Sequence, residues 1–321
     1  MDLIYTNKHR EDVGVMKDYA FDLAYGSDEN DFELSVDTSN HCCDTDCLIY
    51  IEGTEYGGII DGFTVTTTDR KLVYKGRTWH GILASKILQP DDGEAYLKVS
   101  GEANAIIGSL LERVGLTDLF EVTNEYSGLI INNYSFSRYT DMYTGITKML
   151  DTVGGKLRFT FKADKVVIST VPIVDYSQDE QFDNDQVEMT IEKSHNTVNH
   201  LICLGKGELT ERQIVHLYVD AEGNISGSQT FTGIEEVADI YDYSNAESLE
   251  ELTNSGKDKL KEYAAVDKVQ MNFSSEEIMY DIGDIIGAKE IITGITSSAK
   301  ISKKIVTISQ GLVNIQYKVG E

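Results

Sequence analysis

The segment GIIDGFTVTTTDRKLVYKG, from Gly58 to Gly76, carries the pattern that decides the fold class. Thr, Val, Ile and Tyr alternate with polar residues at period two on both sides of the polar turn Thr68 to Lys71. That is the signature of an antiparallel hairpin with one buried face. The same period runs back through YAFDLAY around Phe21, DFELSV from Asp31 and CLIYIE from Cys47. The stretch from Asp2 to Tyr74 therefore reads as a small barrel or sandwich.

Downstream the period changes. Ala103, Ile106, Ile107, Leu110, Leu111 and Val114 recur at the spacing of one helix face, with Gly115 as the stop. A second helix is expected from Asp141 to Val153, with Thr140 as N-cap and Gly154-Gly155 beyond its end. LRFTF and VVIST then predict a hairpin around Ala163-Asp164. The acidic run DYSQDEQFDNDQ, Asp175 to Gln186, is the clearest boundary. Strands resume in TVNHLICLG and RQIVHLYVD. One more helix follows, with a capping box Ser244 to Glu247, a face of Leu249, Leu252, Leu260 and Tyr263, and Gly256 weakening its middle.

A faint repeat relates Gly62-Phe63-Thr64, Lys71-Leu72-Val73 and Gly76 to Gly294-Ile295-Thr296, Lys304-Ile305-Val306 and Gly311. The fold class is α+β, mostly β, with two tube-like antiparallel β-barrel domains, an inserted α+β unit and a further helical segment. The expected division is an N-terminal barrel domain over 1–94, the insert over 95–172, and a connector with strands belonging partly to the barrels over 173–232. A helical segment over 233–265 and C-terminal barrel strands over 266–321 complete it.

Composition excludes several function classes. The 28 Lys plus Arg against 54 Asp plus Glu leave a formal charge of −26, which repels phosphate backbones and argues against sequence-specific nucleic-acid binding. With 41% hydrophobic residues and 18 Tyr, the 321-residue chain is too apolar to remain disordered. No basic and apolar leader follows Met1 and no stretch is apolar enough to span a bilayer, so synthesis in a bacterial cytoplasm is expected. Four Cys in this length read as free thiols.

The motifs that could carry chemistry fail on spacing. His41, Cys42, Cys43 and Cys47 are acceptable zinc ligands by type, but adjacent Cys42 and Cys43 point apart in an extended chain and no CxxC knuckle is present. His195 and His200 lack the HExxH arrangement, and no local signature pairs either with Cys203 or Cys47 as a thiol nucleophile. Asp175, Ser177 and Asp179 open like a calcium loop, yet Glu180 stands where the turn needs Gly, and Gln186 where the loop needs Glu. No catalytic, cofactor-binding or metal-binding residue is assigned, and no cofactor is expected.

YKGRTWHGILASKILQP, Tyr74 to Pro90, followed by AYLKVSGEANAIIGSLL, Ala95 to Leu111, resembles the phage tail baseplate hub proteins: the hub of contractile tails and the N-terminal region of tail-associated lysins. IEGTEYGGIIDGF from Ile51, TGITKMLDTVGGKLRFTF from Thr144, IVDYSQDEQF from Ile173 and YDIGDII from Tyr280 extend the resemblance over nearly the whole chain. Its specificity lies in the order and spacing of these stretches. The resemblance implies a homotrimer whose paired barrels form a pseudo-sixfold ring joining the tail tube to the spike and baseplate. The implied partners are the tail tube protein, the spike, other baseplate proteins and, as a further candidate, the tape measure protein. It implies a virion tail or tail-like particle as the location. The end of the sequence at Glu321 favours a bare structural hub without a hydrolase extension. The rival readings are a tail-delivered cell-wall peptidase or glycosidase, and an acidic cytoplasmic binding module.

Overall fold

The computed structural model describes all residues except 179, 180, 184, 186, 195–197, 222, 247, 264, 265, 276, 277 and 321. The elements run β1 (Ile4–Thr6), β2 (Asp12–Val15), β3 (Ala20–Gly26), β4 (Asp31–Asp37), β5 (Leu48–Tyr50), β6 (Gly57–Thr66), β7 (Lys71–Thr78) and helix α1 (Trp79–Ala84). Then come β8 (Ile87–Leu88), β9 (Lys98–Glu102), α2 (Ala103–Val114), β10 (Phe120–Val122), β11 (Ile130–Ser135), β12 (Thr140–Asp141), α3 (Met142–Asp151), β13 (Gly155–Lys162) and β14 (Lys165–Pro172). The remainder is β15 (Gln181–Asp183), β16 (Met189–Ser194), β17 (His200–Leu204), β18 (Ile214–Val219), β19 (Ile225–Ser226), β20 (Ala238–Asp242), α4 (Leu249–Glu262), β21 (Val266–Ser274), β22 (Ile285–Lys289), β23 (Thr296–Ser309) and β24 (Leu312–Val319). The fold is α+β and mostly β, as the alternating patterns predict. The chain forms two compact units, Met1–Met189 with Gln270–Glu321, and Thr190–Val269.

The first unit is built on one extensive antiparallel sheet in which β21, through Met271 to Ser274, β24, β23, β3, β4, β7, β6, β5, β1 and β2 follow one another. The hairpin read from Gly58 to Gly76 is β6 and β7, with a register shift at Ile60/Gly62 that gives this pair a bulge. The N- and C-terminal β regions are continuous: β3 pairs with β23 through seven residue pairs, from Ala20 with Ser309 to Gly26 with Lys303. The 95–172 region supplies α2 and α3, each buried along its apolar face, and the β13–β14 hairpin. At the tip of that hairpin Ala163 and Asp164 both have positive φ (51° and 65°), as a two-residue turn that matches strand twist requires. Gly115 ends α2 at φ 70°, in the left-handed conformation expected of a glycine stop.

The second unit is a four-stranded sheet in the order β19, β18, β17, β20, with α4 packed on it. Leu201, Cys203, Leu217, Val219, Ala246, Leu252 and Leu260 form its core.

Several local expectations are corrected. Asp141, not Thr140, caps α3: its Oδ1 accepts from Thr144 N at 2.8 Å, and the carboxylate serves the helix N-terminus better than a hydroxyl. Ser248, not Ser244, caps α4 and accepts from Glu251 N at 3.1 Å; Glu247 lies outside the described residues. Leu249 is 52% exposed and leaves the buried face to Leu252, Gly256 and Leu260. Gly256 costs helix propensity but serves the packing. A Cβ there would stand 2.4 Å from Cys203 Sγ and 2.8 Å from Leu217 Cδ1, so the missing side chain lets the helix approach the sheet. The proposed repeat does not superpose on the strands. Lys71-Leu72-Val73 stands on β7 opposite Phe63 and Thr64 on β6, whereas Thr296 and Lys304-Ile305-Val306 belong to the single long strand β23.

A buried charged joint and the candidate thiol and histidine clusters

The residues of Tyr74 to Pro90 position a joint inside the first unit. Thr78 ends β7 and caps α1, so Trp79 and His80 turn inward together. Trp79 stacks on Phe161 of β13 (5.5 Å, 18°), and Phe161 stacks on Tyr50 of β5 (3.9 Å, 27°). His80 packs on Phe159 (4.1 Å) and Tyr25 (4.7 Å). Leu48, Tyr50, Trp79, α2, α3, β13 and β14 consequently share one apolar core. The strands of the large sheet and the α+β segment of the first unit pack on this shared core.

Charges are buried at the rim of this core. Lys156, at the start of β13 and only 4% exposed in its side chain, lies 2.5 Å from Asp284 Oδ1 and 2.9 Å from Asp281 Oδ2. Asp284, 2% exposed, also accepts from Val174 N and Asp281 N, each at 2.9 Å. Arg158 reaches Asp281 at 2.7 Å. Burial pushes the Asp281 carboxyl up, but the hydrogen bonds from Lys156 and Arg158 more than offset it and hold it below the usual range. Beside this group Lys304 of β23, fully buried, meets Glu55 at 2.5 Å. Glu55 holds the Lys304 ammonium charged against the desolvation that would lower its pKa. His80 responds in the opposite direction: burial first, then the Lys304 charge, lowers it to about 3, so the ring is neutral. Its Nδ1 is buried with no hydrogen-bond partner among the described residues. A small cavity of about 40 Å³ between His80, Tyr143, Glu55 and Lys156 adjoins it.

The sequence candidates fall elsewhere. Around His41, the Tyr74 hydroxyl accepts from Cys42 N (3.1 Å) and Cys43 N (3.3 Å) and lies 2.9 Å from His41 Nδ1. Cys42 and Cys43 do not point apart: their sulfurs lie 3.6 Å from each other, just after the 3₁₀ turn Thr38–Asn40. Cys47 is buried separately. His195 lies outside the described residues, and His200 pairs instead with Glu236 (Nδ1 to Oε1, 2.6 Å) and His216 (Nε2 to Nδ1, 2.8 Å). Cys203 sits in the core of the second unit, where burial raises its thiol to about 11. Asp175 Oδ1 accepts from Ser177 N at 2.9 Å in a local turn, while Asp179, Glu180 and Gln186 include positions beyond those described (179, 180 and 186). Among the described residues no group of three His, Cys, Asp or Glu is placed to hold a metal ion, and no helix is long and apolar enough to cross a membrane.

Sequence reasoning passed over Lys156, Asp281, Asp284 and the Trp79-His80 pair. The available signal was a lysine opening the apolar strand GKLRFTF and two aspartates bracketing Ile282-Gly283 in YDIGDII.

No protein-family model and no curated sequence matches the chain. Solved structures do. A prophage tail protein from Listeria monocytogenes aligns over 99% of this chain and 94% of its own, with TM-score 0.54 and 13% identity. The prophage MuSo2 43 kDa tail protein from Shewanella oneidensis aligns over 99% and 98%, with TM-score 0.54 and 10% identity. A tail protein from Neisseria meningitidis aligns over 100% and 96%, with TM-score 0.50 and 11% identity. The chain has the fold of phage tail proteins from end to end, as the resemblance of its ordered stretches implied.

Proposed function

We propose that the chain is a structural hub of a phage tail or tail-like particle, a homotrimer whose ring joins the tail tube to the spike and baseplate. The observation that carries this reading is the full-length tail-protein fold, including its insert, in three solved structures. Two features of the chain support it. The sheet ends on the short strand β2, whose Val13 and Val15 are exposed, and an edge of this kind needs either a partner or a blunting device. The joint at Lys156 and Trp79 makes the α+β segment rigid against the strands, which suits a part that transmits load between neighbours.

The role is non-catalytic. Cys203 is sealed in the core of the second unit, where burial raises its thiol to about 11, so it is no ready nucleophile. Tail tube, spike and other baseplate proteins are the partners, with the tape measure protein as a further candidate. Assembly in the bacterial cytoplasm precedes incorporation into the tail.

Native mass measurement and negative-stain imaging test the reading. The expected result is a three-subunit ring with a central hole, at high protein concentration or with the spike protein added. A monomer under both conditions, with no ring in the assembled particle, would overturn it.

A further inference from the structure

An aspartate followed by glycine is open to attack by the backbone nitrogen on the side-chain carboxyl, because glycine has no Cβ to shield its own N–H. The chain contains two such dipeptides, Asp61-Gly62 and Asp92-Gly93, and the fold treats them in opposite ways. Asp61-Gly62 lies within β6, where Gly62 pairs with Lys75 of β7, so its backbone belongs to the ladder. Both Asp61 carboxylate oxygens are also taken: Arg77 Nε donates to Oδ2 at 2.9 Å and Arg77 Nη2 to Oδ1 at 2.7 Å.

Asp92-Gly93 occupies the two central positions of a turn between β8 and β9, closed by Glu94 N donating to Asp91 O at 3.0 Å. Gly93 has φ 85°, the left-handed region that suits glycine at the third position of a turn. Arg113 of α2 anchors the first half of this connection through Gln89 O at 3.0 Å and Asp91 Oδ1 at 2.6 Å. The anchorage stops short of the dipeptide. Among the described residues neither the Asp92 carboxylate nor the Gly93 N–H has a hydrogen-bond partner, and both residues are exposed. A Cβ at Gly93 would meet nothing within 4 Å, and a cavity of about 230 Å³ shared with Arg138 and Tyr139 leaves the turn open to water.

We propose that Asp92 is a modification site at which the folded protein converts an α-linked aspartate into its β-linked isomer, with water as the co-reactant. The Gly93 nitrogen gives up its proton and attacks Asp92 Cγ. The N–Cγ bond forms, the C–OH bond of the protonated carboxyl breaks, and one water leaves, closing a five-membered succinimide. A solvent water then adds to the main-chain carbonyl carbon of Asp92, and the bond from that carbon to the Gly93 nitrogen breaks, so the backbone runs through Cγ. Addition at Cγ instead restores aspartate. No electrons are exchanged, and the water lost is replaced by the water gained. The methylene added to the backbone falls beyond the Arg113 anchor, in a stretch whose residues from Asp91 to Tyr96 are all exposed, so no buried contact opposes it.

The contrast between the two sites sets the test. A site that reacts only from a locally opened state is slowed tenfold for every ~1.4 kcal/mol of opening free energy. Asp61 must leave Arg77 and Gly62 must leave the β6–β7 ladder before ring closure, whereas Asp92 and Gly93 have only their own turn to rearrange. The experiment is peptide mapping of the full chain aged in neutral buffer made with heavy-oxygen water, in which each ring opening leaves one heavy oxygen at the site. In the folded protein, β-linked aspartate carrying heavy oxygen should accumulate at position 92 at least about tenfold faster than at position 61. In urea, with both dipeptides released from the fold, the two rates should agree within about twofold. Asp92→Glu, which keeps the charge but would need a larger ring, should abolish the signal at this position and leave Asp61 as it was. Equal rates at the two sites in the folded chain, or no β-linked product at Asp92 while the chain in urea forms it, would overturn the proposal.

Discussion

Replacing Lys156 by Met leaves Asp284 buried beside Asp281 with its cation gone. The carboxylate still accepts from Val174 N and Asp281 N, and Asp281 still has Arg158, so the site is not stripped of donors. Breaking a buried pair from one side costs about 3–5 kcal/mol, and the surviving donors place Lys156→Met at the lower end. Asp284→Asn keeps the shape but puts an amide NH₂ where an oxygen now accepts. Its cost should be about 2–3 kcal/mol for an unsatisfied buried group. In the double variant no charge is left unpaired, so the loss should be smaller than the sum by about 2 kcal/mol. The single tryptophan, Trp79, is stacked in the same joint, and its fluorescence follows urea unfolding of the first unit without interference from the second. The midpoint should fall with the slope unchanged. Acid adds a second readout. The folded pKa of Asp281 lies below its unfolded value, so its contribution is present above about pH 4 and is lost as pH falls through the folded value. That acid-side loss should be shallower in Lys156→Met. A single variant within about 1 kcal/mol of wild type, or additive losses in the double, would refute the reasoning.

His80 loses its contribution in the same direction of pH, but its replacement should act in the opposite sense, raising stability in acid. Its folded pKa of about 3 lies below the unfolded value near 6.5, so wild-type stability is full above 6.5 and erodes as pH falls toward 3. Because Nδ1 has no partner among the described residues, His80→Phe should match wild type within about 1 kcal/mol at pH 8 and exceed it below pH 5 in thermal unfolding, and an unchanged acid profile would count against this account. In the second unit, Gly256→Ala gains about 1 kcal/mol of helix propensity but drives a methyl group into Cys203 and Leu217. A net loss of about 1–2 kcal/mol is expected by hydrogen exchange of α4, largely restored by adding Cys203→Ala.

The local elements were legible where a single residue type has one physical use. Alternation of Thr and Val marked β6 and β7, Gly115 marked the end of α2, and Ala163-Asp164 marked a two-residue turn. Where two neighbours could serve, the reading slipped. Thr140 and Asp141 are both capping residues, and only the backbone path makes Asp141 the cap; Ser244 and Ser248 differ in the same way. Pairings distant in sequence left no local trace. Nothing in AFDLAYG names KKIVTIS as its neighbour, although the two are joined along their full length. The Lys156 joint was hidden for a related reason: a lysine in a strand reads as solvent-facing unless the carboxylates that bury it, here more than 120 residues later, are known to arrive. The expectation that Cys42 and Cys43 point apart assumes a strand, whereas both N–H groups here turn to one acceptor, the Tyr74 hydroxyl more than 30 residues away, and the sulfurs stand 3.6 Å apart.

β23 is where these strands of argument meet, since it pairs with β22, β24 and β3 and carries Lys303 and Lys304 side by side. Successive strand residues face opposite sides of a sheet, so two adjacent buried lysines must be satisfied on two different faces. They are: Lys303 reaches Glu29 at 2.5 Å on one side and Lys304 reaches Glu55 at 2.5 Å on the other. An apolar pair in the same places would tolerate a shift of β23 along β3 by two residues, because the facing pattern repeats with that period. The charged pair does not tolerate it. A two-residue slip would carry both ammonium groups about 7 Å from their carboxylates and leave the buried Lys303 and Lys304, and the largely buried Glu55, without their partners. The buried lysines therefore add little net stability over apolar residues, but they select one register for the strand that closes the C-terminal region onto the N-terminal one. In the proposed ring of identical subunits, that uniqueness of register matters more than the last increment of stability.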